Sequence, residues 1–106
     1  ADLEAQLAAP VWNLNLRINY APTSTSRDRG VIAMARGDER DGIILLVNEH
    51  VSGIAFGLHG LDVLEGQTLT VIDHWEQPVV RNGAIRFGLR GHGIAVIRVG
   101  PQRATP

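Results

Sequence analysis

Residues 11–20 carry the clearest pattern in the chain, a strict alternation of polar and apolar positions. The polar set is Asn13, Asn15, Arg17 and Asn19, and the apolar set is Trp12, Leu14, Leu16, Ile18 and Tyr20. Because successive side chains of a strand point to opposite faces, this segment predicts a β-strand with one apolar and one polar face. A strand with one solvated face is typical of antiparallel sheets.

Further apolar runs follow, separated by turn-forming residues. The runs over residues 31–36 (VIAMAR) and 43–48 (IILLVN) flank a six-residue polar loop with glycine at both ends, which predicts a hairpin over 37–42. The second run is continuously apolar, and this favours a central strand that is covered on both faces. Residues 53–58 (GIAFGL) form another candidate strand, and residues 61–66 (LDVLEG) form a connection with two apolar anchors.

The last third of the chain repeats this alternation of short strands and tight turns. Residues 68–75, 84–89 and 94–99 are β-prone, and Asn82-Gly83 is a dipeptide that favours a two-residue hairpin turn. Gly91 and Gly93 bracket His92 in a second turn, where we expect His92 to hydrogen-bond the backbone. These features predict an antiparallel meander that closes the domain.

Together the segments predict an all-β fold, an antiparallel β-sandwich of about seven to eight strands with little helix. We expect the sandwich domain over residues 11–100. Residues 1–10 are rich in helix formers and end at a proline, so they form either a linker or a short helix, and residues 101–106 are a polar tail. The first residues contain neither Met nor a charged-then-apolar leader, which indicates an excised domain, a processed product or a C-terminal fragment.

Composition and charge change this picture only by exclusion. Apolar residues make up 44% of the 106 positions and charged residues 20%, values that are ordinary for a single globular domain. The formal net charge is −1 and no stretch concentrates basic residues, so we expect neither a nucleic acid nor a membrane as partner. The chain has no cysteine, which leaves its localisation open between cytoplasm and secretion.

The polar residues do not group into a catalytic or metal-binding motif. The four histidines lack the spacing of a metal site, and the neighbours Asp73 and His74 point to opposite faces of a predicted strand. The acidic residues within 37–42 crowd a hairpin tip, where charge usually serves solubility. A G-x-S-x-G nucleophile elbow is also absent. We therefore expect no metal, no cofactor and no catalytic residue in this chain.

Exposed aromatic rings are the usual platform for a sugar, and this chain has few of them. Trp12 and Tyr20 lie on the apolar face of the first predicted strand, where burial in the core is the default. Trp75 ends a predicted strand, with His74 and Glu76 as its neighbours. We take Trp75, Trp12, His74 and Glu76 as candidates for carbohydrate binding or for an interface with a neighbouring domain.

Several short motifs resemble the C-terminal β-domains of barrel-type glycoside hydrolases, which include α-galactosidase-like, α-amylase-like and β-galactosidase-like enzymes. The shared features are a charged hairpin, a strand that ends in Val-Asn, an Asp-x-Trp pair, an alternating strand, a His-Gly turn and a closing strand. Here they are carried by Arg36-Gly37-Asp38 with Gly42, by Leu46-Val47-Asn48, by Asp73-His74-Trp75, by Ile85, Phe87 and Leu89, by His92-Gly93 and by Val96-Ile97-Arg98-Val99. The resemblance spans roughly residues 31–99.

In those enzymes the catalytic carboxylates lie on the barrel. The resemblance therefore implies a non-catalytic accessory domain that packs on an upstream catalytic barrel of the same polypeptide, stabilises it and in some members contacts carbohydrate. The parent protein would be a glycosidase. Two alternatives stay open, an independent carbohydrate-binding module and a structural Ig-like β-sandwich. An apolar surface patch would favour docking, whereas coplanar exposed aromatics would favour sugar binding.

Overall fold

The computed structural model describes residues 8–20, 30–72 and 77–100. These residues form seven strands: β1 (Arg17–Tyr20), β2 (Val31–Gly37), β3 (Gly42–Asn48), β4 (Ile54–His59), β5 (Thr70–Val71), β6 (Ala84–Leu89) and β7 (Ile94–Val99). One short 3-10 helix covers Asp62–Leu64. The predicted all-β fold is confirmed. The predicted tail over 101–106 and most of the predicted linker or helix over 1–10 lie outside the described residues.

Two antiparallel sheets pack face to face around one core. The four-stranded sheet has the order β2-β3-β7-β5, and the three-stranded sheet has the order β1-β4-β6. Every second side chain of each strand points inward. The inner faces meet in a cluster that includes Ile44 and Ile97 from the four-stranded sheet and Phe56, Leu58 and Ile85 from the three-stranded sheet. This is the β-sandwich that the strand pattern predicts.

Residues 11–20 keep the predicted alternation of burial but do not form one continuous strand. Val11 pairs with Arg36 of β2 in the four-stranded sheet, whereas β1 pairs with β4 in the three-stranded sheet. The backbone turns between the two pairings at Asn15, whose φ of 52° is left-handed. The predicted strand is therefore wrong between 12 and 16, because this segment crosses from one layer to the other. Its apolar positions still face the core during the crossing, and this preserves the alternation.

The closing strands do not form the predicted meander. β5 and β7 belong to the four-stranded sheet, but β6 pairs with β4 in the three-stranded sheet. The prediction is wrong here because the turn after β6 carries the chain across the core instead of back along the same sheet. In this turn the His92 N–H donates to the His50 carbonyl at 2.8 Å and the Gly93 N–H donates to the Arg90 carbonyl at 2.9 Å.

The β2–β3 hairpin follows the sequence prediction closely. Gly37 pairs with Gly42, and the loop between them contains the acidic residues expected at the tip. Oδ1 of Asp38 accepts the N–H groups of Arg40 and Asp41, at 2.8 and 2.9 Å. β3 then runs between β2 and β7, so the predicted central strand is confirmed.

The next two predicted segments are also confirmed. The strand predicted over 53–58 is β4, which begins and ends one residue later than predicted. The connection over 61–66 contains the 3-10 helix, and its two leucines, Leu61 and Leu64, are fully buried anchors. The strand predicted over 68–75 is described as far as residue 72, and only Thr70–Val71 of it forms a strand, β5; residues 73–75 lie outside the described ranges.

One buried amide ties together two connections that cross between the sheets. Asn48, at the end of β3, is the only polar residue that is buried in the described part of the chain. Its Nδ2 donates to the Ser52 carbonyl at 2.9 Å and to the Arg90 carbonyl at 3.0 Å, and its Oδ1 accepts the His50 N–H at 3.1 Å. Asn48 therefore links the β3–β4 and β6–β7 connections at one end of the sandwich.

Candidate functional site

Three of the four candidate residues from the sequence, His74, Trp75 and Glu76, lie outside the described residues. The fourth, Trp12, is half-buried and packs against the core beside the β2–β3 hairpin. A Cβ added to Gly42 would lie 2.7 Å from Cζ3 of Trp12, so the indole ring lies directly over this glycine. The role of Trp12 in binding or docking stays a prediction.

A groove of about 1040 Å³ runs over the outer face of the three-stranded sheet. Its floor is formed by β4 and β6, one side by residues 19–20 of β1, and the other side by residues 78–82. The volume reaches the upper end of the range for small-molecule sites, about 300–1,000 Å³. The groove is therefore large enough for an extended ligand.

The floor of the groove contains two glycines that lie within strands, Gly57 of β4 and Gly88 of β6. Neither Gly57 of β4 nor Gly88 of β6 has a positive φ, so the backbone does not require glycine at either position. A Cβ added to Gly88 would meet nothing closer than the Ile54 carbonyl oxygen at 3.7 Å, and a Cβ on Gly57 would lie 3.2 Å from Nε2 of His59. Glycine within a strand destabilises it by about 0.5–1 kcal/mol relative to alanine. Such a glycine often marks a place where a ligand approaches the backbone.

The register of the sheet brings basic and amide side chains together in this groove. Asn19, Gly57 and Arg86 are neighbours across β1, β4 and β6, and His59 lies two residues along β4 from Gly57. Arg81 joins them from the opposite side of the groove. Both arginines are exposed, and no Asp or Glu occurs among the described residues that line the groove. The groove therefore has a positive local charge in a chain whose net charge is −1.

A two-residue turn fixes the side of the groove next to β6. Asn82 and Gly83 have left-handed φ values of 54° and 70°, and Arg81 and Ala84 exchange hydrogen bonds across them at 2.9 and 3.1 Å. This is the hairpin turn predicted from the Asn-Gly dipeptide. The Glu65 carboxylate accepts both turn N–H groups, at 2.9 Å from Asn82 and 2.7 Å from Gly83. Glu65 thus anchors the turn that holds Arg81 at the groove.

The outer face of the four-stranded sheet has the opposite character. Two rows of apolar side chains lie side by side on β2, β3 and β7, and we call them the aliphatic face: Ile32, Val47 and Ile94, then Met34, Leu45 and Val96. Ile94 is 65% exposed, Met34 49% and Ile32 43%, and the other three are half-buried. A sheet with one solvated face normally places polar residues at such positions. The aliphatic face therefore has the composition of a covered surface.

The remaining polar residues do not form a metal site in residues 8–20, 30–72 and 77–100, where no three His, Asp or Glu side chains converge. His50 accepts the Ser52 N–H through Nδ1 at 3.2 Å, and His59 lies in the groove. Over the same ranges, no helix has the length and apolarity to cross a membrane.

Sequence reasoning missed the groove because its residues are scattered between positions 19 and 88. The available signal was weak. Two strands that otherwise carry a regular apolar pattern, GIAFGL and AIRFGL, each contain an interior glycine. Comparisons of the chain with protein-family models, with curated proteins and with solved structures found no match.

Proposed function

We propose that this chain is a non-catalytic accessory β-sandwich that packs on the catalytic barrel of a glycoside hydrolase through its aliphatic face. The observation that carries the proposal is the set of six aliphatic side chains on three adjacent strands that are exposed or half-buried. Soluble monomers rarely expose contiguous apolar patches larger than a few hundred Å², and larger patches mark interaction surfaces. A permanent neighbour would remove these side chains from water, with about 1.5–3 kcal/mol gained for each that becomes fully buried.

The chemistry of the aliphatic face favours a protein neighbour over a sugar. It contains no aromatic ring, and the described aromatics lie elsewhere: Phe56 and Phe87 are buried in the core, and Trp12 and Tyr20 are half-buried. A flat aliphatic sheet face is the surface on which helices pack in layered folds. The outer layer of a barrel enzyme is a ring of helices, so it can supply the matching surface.

The resemblance to glycosidase accessory domains supports the choice of this neighbour. Two of the motifs that carry it, Leu46-Val47-Asn48 and Val96-Ile97-Arg98-Val99, lie on β3 and β7, which form the centre of the aliphatic face. A carbohydrate-binding module that stacks sugar rings on a flat aromatic platform calls for coplanar exposed aromatics, and the described residues include none. The structural Ig-like alternative gives no reason for an aliphatic outer surface.

The test is Ile94→Glu in the full-length polypeptide that contains this chain. A buried unpaired carboxylate is unfavourable, so we expect the accessory domain to detach, with a loss of about 2–3 kcal/mol of docking free energy. The measurements are limited proteolysis between the domains and the temperature of half-inactivation of the glycosidase activity. Urea unfolding of the 106-residue chain with the same substitution should be unchanged, because Ile94 is 65% exposed there.

Val63→Glu is the matched control, since Val63 is 57% exposed in the 3-10 helix Asp62–Leu64, which lies beside the Asn82–Gly83 turn next to β6. Equal effects of the two substitutions on the full-length protein would contradict the proposal. So would a reading frame without a catalytic barrel. Dimerisation of the chain alone that is lost with Ile94→Glu would assign the aliphatic face to a second copy instead.

A further inference from the structure

The groove and the aliphatic face lie on opposite outer surfaces of the sandwich. A ligand in the groove therefore does not compete with a domain that is docked on the aliphatic face. The groove also has features that the fold of the chain does not need, namely Gly88 on its floor and two exposed arginines, Arg81 and Arg86, that form no ion pair with the described residues. These features make it a candidate binding site in its own right, independent of the proposed function.

The charges of the groove select an anionic ligand. Arg81 and Arg86 are exposed at the groove, neither ion-pairs with a carboxylate in the described part of the chain, and His59 lies nearby. The planar guanidinium group binds carboxylates through two parallel hydrogen bonds. Glu65 and Asp62, the acidic residues closest to the Asn82–Gly83 turn, are not among the lining residues. We propose that this groove binds an acidic oligosaccharide, a sugar chain whose carboxylates pair with Arg81 and Arg86.

The floor favours a sugar chain over an acidic peptide. Phe56, Ile85 and Phe87 line the groove only with their backbone, because their side chains are buried in the core at 4%, 2% and 5% exposure. The floor thus lacks the apolar pockets that anchor peptide side chains. Peptides that extend a sheet bind at its edge, whereas this groove lies over its face.

Side chains beside the arginines can form hydrogen bonds with the hydroxyl groups of a sugar. The side chains of Asn19 and Asn82 each offer an amide donor and an acceptor, and His59 offers both functions as well. Gly88 leaves room for a sugar ring to approach the strands, whereas the imidazole of His59 lies over Gly57. The volume of about 1040 Å³ suits several rings rather than a monosaccharide.

The test is a titration of the 106-residue chain at low salt with two probes, trigalacturonate and a hyaluronan tetrasaccharide. Calorimetry gives the affinity, and NMR shifts of the labelled chain give the location. We expect at least one probe to bind and to shift the amides of β4 and β6. The methyl ester of the binding probe has nearly the same shape without the charge, and we expect it to bind at least about tenfold more weakly. Raising the salt concentration should weaken binding through screening.

Two variants locate the site. The double substitution Arg81→Gln and Arg86→Gln removes both guanidinium groups, and Gly88→Leu fills the floor at a position where an added Cβ meets only the Ile54 carbonyl oxygen, at 3.7 Å. Each should weaken binding by at least about tenfold. The matched control is Arg98→Gln, an exposed mid-strand arginine of β7 on the other sheet, which should leave the affinity unchanged. Urea unfolding at a denaturant concentration no lower than that of the unsubstituted chain verifies that each variant is folded.

Three results would overturn the proposal. The first is that neither acidic probe binds. The second is that the methyl ester binds as well as the acid, or that Arg98→Gln weakens binding as much as the double variant. The third is that a hexaglutamate peptide binds more tightly than both saccharides, which would assign the groove to acidic peptides. None of these results depends on the docking experiment with the full-length protein, so the two proposals can fail separately.

Discussion

The two sheets of this sandwich are alike on their inner faces and differ on their outer faces. Both inner faces are apolar and meet in a single core. On the outside, the four-stranded sheet carries the aliphatic face, whereas the three-stranded sheet carries Asn19, Gly57, His59 and Arg86. Because both sheets are antiparallel and share the same core, the fold does not account for this difference. Under the two proposals, the difference reflects a protein neighbour on one face and an anionic ligand on the other.

Both outer faces hold residues that the isolated sandwich does not require. Exposed aliphatic side chains gain little from folding when they remain in water. Glycine in the middle of a strand lowers stability. A sandwich that had only to fold would place polar side chains at the first set of positions and larger side chains at the second. The comparison therefore predicts that the two outer faces can be changed without loss of stability, unlike the core.

The largest expected effect separates the inner and outer faces of β7. Ile97→Ala removes a fully buried side chain and should lower the free energy of unfolding by about 2–5 kcal/mol. Ile94→Ala, at a position that is 65% exposed on the same strand, should change it by less than about 0.5 kcal/mol. Urea unfolding of the chain measures both.

A comparable loss of stability in Ile94→Ala would show that the aliphatic face already packs against part of this chain. The contrast between the two sheets would then be one of internal packing, and the aliphatic face would need no external neighbour. Ile32→Ala on β2 repeats the stability test at a second position, since Ile32 is 43% exposed in the same row as Ile94.

A smaller effect is expected where the chain passes between the sheets. Asn48→Ala removes the buried donor of the Ser52 and Arg90 carbonyls and the acceptor of the His50 N–H, and we expect a loss of about 2–3 kcal/mol in urea unfolding. Both crossing connections should loosen, so hydrogen exchange of the His50 and His92 amides should accelerate together. Asn19→Ala, on the outer face of β1, should leave stability unchanged. Equal stability of the two variants would contradict the role assigned to Asn48.

The inner faces of this fold could be predicted from the sequence, because a half-buried strand alternates apolar and polar residues and this alternation is visible along the chain. The alternation over 11–20 identified the core-facing side chains correctly. It could not reveal that this segment changes sheets at Asn15, since alternation describes which side is buried and not which strand is the neighbour. The prediction of a closing meander was wrong for the same reason. Strand pairing is set by distant residues, and the pattern along one strand does not contain it.

The outer faces were harder to predict, each for its own reason. The continuous apolar run IILLVN predicted that both faces of β3 are covered. In the structure, two residues of this run, Leu45 and Val47, lie on the aliphatic face. No single stretch of the sequence predicted the groove in this way. Its positive charge comes from Arg81 and Arg86, and no stretch of sequence concentrates basic residues. Such a site exists only once the register of the strands is known.

The smallest expected effect tests the floor of the groove. Gly88→Ala places a methyl group where the nearest atom is the Ile54 carbonyl oxygen at 3.7 Å, and the φ of Gly88 is not positive. The substitution restricts the unfolded chain without straining the folded one, so we expect a gain of about 0.4–1 kcal/mol in urea unfolding. A gain would mean that this glycine is unfavourable for the fold and is explained by the groove above it.

Gly83→Ala is the opposing control, because Gly83 has a φ of 70° and its added Cβ would collide with the Asp62 carboxylate. There we expect a loss of about 1 kcal/mol or more. If Gly88→Ala lost stability in the same way, the glycine floor would be a requirement of strand packing. The three-stranded sheet would then resemble its partner in having an outer face shaped only by the fold, and the acidic saccharide would need to be justified by the arginines alone.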